Sequence, residues 1–93
     1  MPDDEFEWDD SKAIANRRKH HVSFETAREA FDDANWVEVD DYDPDEQRFL
    51  RLCFYRGEIY AMLYVERNRR IRIISARRAT NHEQRRYEEE HGG

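Results

Sequence analysis

One stretch, "RFLRLCFYRGEIYAMLYVE" over residues 48–66, narrows the fold more than any other. Two alternating runs flank Arg56-Gly57, and alternation is the period of a strand with two distinct faces. A two-residue turn at Arg56-Gly57 pairs Phe54 with Ile59, Leu52 with Ala61 and Leu50 with Leu63. That register gathers Leu50, Leu52, Phe54, Ile59, Ala61, Leu63 and Val65 on one face. A short turn around Arg67–Arg69 brings in a last strand, and pairing Val65 with Ile71 adds Ile71 and Ile73 to the same face. A face this apolar needs helices over it.

The flanks supply them. "EFEW" (Glu5–Trp8) alternates and predicts a short strand. Asp9, Asp10 and Ser11 offer N-caps for a helix running to His20. "HHVSF" interrupts, and Ser23 caps a second helix with Phe24, Ala27, Ala30 and Phe31 as its apolar stripe. Trp36–Gln47 begins as a strand and becomes an acidic loop with Pro44. Thr80 and Glu83 form a capping box for a C-terminal helix to Glu90. The order β-α-α-β-β-β-β-α predicts an α+β fold: an antiparallel sheet with two N-terminal helices and one C-terminal helix. The 93 residues make one domain.

No apolar run approaches a membrane span, and the N-terminus lacks the basic start and apolar run of a signal peptide. A single cysteine, Cys53, forms no internal disulfide, which points to the cytoplasm. No Cys/His spacing suits zinc, so neither metal nor cofactor is expected. The net charge of −6 argues against a polyanionic partner, but the distribution argues for one. Residues 1–47 hold 16 acidic against 5 basic side chains, and residues 48–93 hold 6 against 11, every one of those 11 an arginine. Arginine's planar fork matches phosphate oxygens and stacks on bases.

The same register puts Arg51, Cys53, Tyr55, Tyr60, Met62, Tyr64, Glu66, Arg70, Arg72 and Ile74 on the opposite face. Arginines beside aromatic rings suit single-stranded RNA. Arg51, Tyr64 and Arg70 are therefore candidate RNA contacts. With a three-residue turn, Glu66 sits opposite Arg70 and near Arg72, where it can orient a guanidinium or accept a proton from a ribose 2′-hydroxyl. The competing reading is an ordinary solvent-facing sheet with cross-strand ion pairs.

Two stretches go further. "FEWDDSKAIANRRKHHVSFETAREAFDD" resembles the N-terminal signature of the BrnT toxins, with Trp-Asp, Lys, Asn, Lys-His and a Ser-Phe-Glu helix start. "ERNRRIRIISARRATNHEQRRYEE" resembles their C-terminal signature. His21 stands where the family commonly has Gly, Asn68-Arg69 replaces a Gly-Asp turn, and "TNHEQ" is less basic than the usual helix start. The resemblance implies a RelE-like fold and a metal-independent ribonuclease that halts translation, acting on RNA that is free or on the ribosome. It also implies a BrnA-type antitoxin as partner, with DNA reached only through that antitoxin.

In such enzymes the ribose 2′-hydroxyl attacks the adjacent phosphate. The protein must deprotonate the hydroxyl, stabilise charge on phosphorus and protonate the leaving 5′-oxygen. By resemblance, His20 of the Lys-His pair is the first acid–base candidate and Lys19 a phosphate contact. Glu66 is the alternative base. Arg72, Arg77 and Arg78 match the family's "RIRIISARRA", with Arg77 favoured by resemblance and Arg78 by the strand register. Tyr87 matches a family position that stacks on a base or aids proton transfer. Each has a bland counterpart: His20 closing a helix, Glu66 in an ion pair, Tyr87 packing its helix on the sheet. The alternative for the whole chain is a non-catalytic protein- or RNA-binding module that keeps the fold.

Overall fold

Two tight turns with positive φ set the sheet. A computed structural model describes residues 5–39 and 47–91. Its elements are β1 (Phe6–Glu7), α1 (Asp10–His20), α2 (Phe24–Ala30), β2 (Val37–Val39), β3 (Phe49–Tyr55), β4 (Glu58–Arg67), β5 (Arg70–Arg78) and α3 (Asn81–Glu90). Arg56 and Gly57, at φ 49° and 86°, join β3 to β4. Phe54 pairs with Ile59, Leu52 with Ala61 and Leu50 with Leu63, as the alternation requires. The sheet order is β1-β5-β4-β3-β2. β2 to β5 are antiparallel, but β1 runs parallel to β5, so the expected wholly antiparallel sheet acquires one parallel edge. The acidic loop around Pro44 lies outside the described residues.

The β4–β5 turn departs from expectation. It contains only Asn68 and Arg69, both left-handed at φ 53° and 65°. Val65 therefore pairs with Arg72, not with Ile71, and a shift of one residue exchanges the faces of the strand. Ile71 and Ile73 join Tyr64, while Arg70 and Arg72 join Val65. A bulge follows. Tyr64 pairs with Ile73 and Leu63 with Ser75, leaving Ile74 unmatched. In a regular strand residues 72 and 77 would face opposite ways. The extra residue brings Arg77, opposite Ala61, onto the same face as Arg72.

Helices cover both faces. α1 and α2 lie over the face expected to be open, where Phe24, Ala27, Ala30 and Phe31 pack with Cys53, Met62, Tyr64, Ile73 and Ala76. The register shift explains this, because it moves two isoleucines under the apolar stripe of α2. The face read as the principal core carries a smaller cluster of Val37, Leu52 and Ala61, with Leu50, Ile59 and Tyr87 of α3 at its margin. Phe54, placed in that core by the alternation, is 50% exposed at its end.

Capping explains the helix limits. Asp9 accepts from the Lys12 N–H at 3.1 Å and Ser23 from the Thr26 N–H at 3.0 Å. His21 ends α1 with a left-handed φ of 60°, donating its N–H to the Arg17 carbonyl at 2.9 Å. No described helix is long and apolar enough to cross a membrane.

Candidate functional site

α1 carries almost no apolar stripe and buries only Asn16. That asparagine fixes where the helix ends. Its side-chain amide donates to the Ala76 carbonyl at 2.8 Å and the Val22 carbonyl at 3.0 Å, and its oxygen accepts from the Ala76 N–H at 3.1 Å. The last turn of α1, Arg17 to His20, is therefore laid beside the end of β5. His20 is half-buried there and Lys19 exposed. Burial holds the His20 imidazole below its ordinary pKa, and the charges of Lys19, Arg77 and His21 push the same way. An open cleft of about 470 Å³ is lined by Arg17, His21 and Tyr60, among others. Tyr60 pairs with Arg78, so both arginines of the Arg77-Arg78 pair stand at one corner, on opposite faces of β5.

Each of these arginines already has a carboxylate. Arg77 grips Glu83 through both terminal nitrogens, at 2.7 and 3.0 Å, and its pKa rises chiefly through that contact. Glu83 is the third residue of α3 and also accepts from the Thr80 N–H at 2.9 Å, completing the capping box. The hydrogen bond from Arg77 holds its carboxyl below the usual range. The exposed Arg78 pairs with Glu58.

Arg72 and Arg70 lie toward the opposite end of β5, roughly 15 and 20 Å from Arg77 at the rise of a strand. Both turn to Glu7 of β1: Arg72 at 2.8 Å and Arg70 at 3.7 Å. Glu66 does not serve them. The two-residue turn sets Glu66 across from Ile71, on the other face from Arg70 and Arg72, and the expected Glu66–Arg70 pairing is overturned. Glu66 also stands about 20 Å along β4 from Tyr60, so it and His20 occupy opposite ends of the sheet.

The expected RNA-facing surface is corrected most strongly at Arg51 and Tyr64. Tyr64 is 2% exposed under α2, edge-on to Phe31 and stacked on Phe49. The Arg51 guanidinium lies between the rings of Phe31 and Trp36, at 3.7 and 3.8 Å, and donates to the Phe31 carbonyl and the Tyr64 hydroxyl at 3.3 Å. Both residues hold the α2–β2 loop to the sheet. Burial raises the Cys53 thiol to about 12 in the same core. Tyr87 packs against the smaller core, and its hydroxyl donates to Asp33 at 2.7 Å. Burial and that carboxylate raise the Tyr87 pKa.

Of the sequence candidates, the structure therefore gathers Lys19, His20, Arg77 and Arg78 at one corner, and Arg70 and Arg72 at another. Glu66 lies at the Arg70–Arg72 end on the other face of the sheet, and Tyr87, one turn after Glu83 on α3, spends its hydroxyl on Asp33. Of three further residues at these places, Glu7 was not singled out, Glu83 was read only as the capping-box partner of Thr80, and Asn16 only as the Asn of the N-terminal signature. Among the described residues no three His, Cys, Asp or Glu side chains converge as metal ligands do.

The first corner joins an imidazole that is neutral, and so free to accept a proton, near pH 7 to guanidinium groups able to hold a phosphate. No curated protein matches the sequence. Residues 8–83 match a family described as the ribonuclease toxin BrnT of type II toxin-antitoxin systems, and the chain belongs to that family.

Proposed function

We propose that this chain cleaves RNA through the corner where α1 meets the end of β5. His20, neutral near pH 7, takes the proton of the ribose 2′-hydroxyl. Arg77 stabilises charge on the phosphorus-bound oxygens as the 2′-oxygen bonds to phosphorus and the bond to the 5′-oxygen breaks, leaving a 2′,3′-cyclic phosphate and a 5′-hydroxyl that takes its proton from solvent water. Lys19 and Arg78 hold flanking phosphates, and Arg70 and Arg72 extend the basic track along β5. No step requires a metal ion. The observation that carries the reading is the pair of hydrogen bonds between Asn16 and the Ala76 backbone, at 2.8 and 3.1 Å, which lays the last turn of α1, with Lys19 and His20, beside the segment of β5 that carries Arg77. Glu66 and Tyr87 have no part in bond cleavage on this reading, and Arg51 and Tyr64 act as scaffold.

The family implies a protein antitoxin, and a BrnA-type partner that blocks this corner fits. RNA cleavage then stops translation when the antitoxin is lost, and DNA is reached only through the antitoxin.

The test is cleavage of a single-stranded RNA oligonucleotide by purified protein, with a chelator present. His20→Ala should reduce kcat/KM by about 10²–10⁴-fold, and Arg77→Ala by roughly 10²–10³-fold. The acid limb of the pH profile should lie below the ordinary histidine value of about 6.5. Wild-type activity that the chelator abolishes, or variants as active as wild type, would overturn it. One observation favours the second reading, a binding module without chemistry: Glu83 already occupies both terminal nitrogens of Arg77. RNA retained but uncut by wild type would select that reading.

A further inference from the structure

We infer that Asn16 is a positioning residue for the His20–Arg77 pair, and this rests on the proposed cleavage site. The side chain is 7% exposed and is the only buried polar residue among those described. It bonds both backbone groups of Ala76, donating to the carbonyl at 2.8 Å and accepting from the N–H at 3.1 Å. A carboxamide that both donates to and accepts from one residue copies the pairing of a neighbouring strand. β1 supplies that neighbour only at Ile71 and Arg72, so Asn16 continues the pairing at Ala76.

Both partners of the site are keyed to this contact. His20 follows Asn16 by one helical turn and lies on the same side of α1. Arg77 follows Ala76 directly. The third bond, to the Val22 carbonyl at 3.0 Å, fixes the chain just after His21 turns left-handed and leaves the helix. The apolar cores do not set this geometry. α1 buries no hydrophobic side chain, and Ala13 alone among its residues reaches the margin of the larger core. Without Asn16 the helix has little to stop it sliding or rotating against β5. Such movement separates His20 from Arg77 while α2 and the sheet stay packed.

The experiment follows His20 by NMR and cleavage of a single-stranded RNA oligonucleotide in wild type, Asn16→Ala and Asn16→Asp. Asn16→Asp is isosteric and keeps the acceptor for the Ala76 N–H, so it covers the case in which Asn16→Ala does not fold. Val37→Ala, in the smaller core, is the control for lost stability alone. In folded Asn16 variants, His20 should titrate closer to its ordinary value than in wild type. Their kcat should fall roughly ten- to a hundredfold with KM little changed, while Val37→Ala moves neither quantity. A His20 titration unchanged in a folded Asn16 variant, or a kcat within about twofold of wild type, overturns the inference. Because the titration needs no RNA, a wild type that cuts nothing refutes the cleavage reading and still leaves the placement of His20 tested.

Discussion

Phe24 and Tyr87 sit on opposite sides of one sheet and are held in unlike ways. Phe24 is fully buried in an apolar cluster, edge-on to Trp8 with ring centroids 5.9 Å apart. Tyr87 belongs to a helix with no buried residue at all. α3 is fastened by a capping box, the Arg77–Glu83 fork, a 3.2 Å bond from Gln84 to the Ala79 carbonyl and the Tyr87–Asp33 bond. Apolar burial has no titrating group and no charge to screen, whereas the charged fastenings respond to pH and are screened by salt. The sheet thus has one permanent cover and one conditional cover, and Arg77 lies under the conditional one.

The comparison can be broken from either side. Phe24→Ala should cost about 4 kcal/mol and lower the global unfolding midpoint in urea. Loss of less than about 1 kcal/mol would mean that α2 is not the main cover. Thr80→Ala removes one half of the capping box and should cost about 1 kcal/mol. That loss should register in hydrogen exchange of the α3 amides while the amides of β3 and β4 keep their protection. Tyr87→Phe comes next, at about 1 kcal/mol or less, since Asp33 keeps its bond from the Phe54 N–H at 2.8 Å. Equal loss of protection in α2 would show the two covers to be coupled. Arg70→Ala should shift the midpoint least, by less than about 0.5 kcal/mol, because its contact with Glu7 is exposed and long.

Acid sharpens the contrast without mutation. Glu83 sits below its ordinary pKa because Arg77 bonds it. Burial raises Asp33, but bonds from Phe54, Tyr87 and Asn35 outweigh that and bring it below its ordinary value. A carboxylate depressed in the folded state stabilises above its unfolded pKa, and that contribution is lost as pH falls through the folded value. Both carboxylates fasten α3. Below about pH 4, α3 should therefore lose exchange protection before α2 does. Simultaneous loss would count against separate covers.

What could be read from the chain divides along the same lines. The β3–β4 register was fully legible, because alternation and an Arg-Gly turn determine it together. The N-caps, the one capping box and the α2 stripe were legible for the same local reasons. β5 was not. A second non-glycine residue in the left-handed region, Arg69, shortens the turn by one residue, and nothing in its composition announces that. The bulge at Ile74 then shifts the strand again, so Arg72 and Arg77 share a face that alternation forbids. The choice of face failed because both were apolar enough to bury: Cys53, Met62 and Tyr64 served as well as Leu50 and Leu52. Lys19, His20 and Arg77 were singled out through resemblance, not through any local signal of their own. Glu7, the grip of Glu83 on Arg77 and the contacts of Asn16 were not legible, since each is made only after separate elements meet.

One carboxylate also guards an open flank. β2 is three residues long, and its ladder with β3 ends at the Val37–Leu52 pair. Beyond that point the next main-chain donor of β3 belongs to Phe54, whose side chain is half-exposed. An apolar side chain beside a vacant donor is where another molecule's strand would add itself. Asp33 fills that donor and places a negative charge on the same spot. Whatever it contributes to α3, this side chain makes that end of β3 a poor template for an added strand.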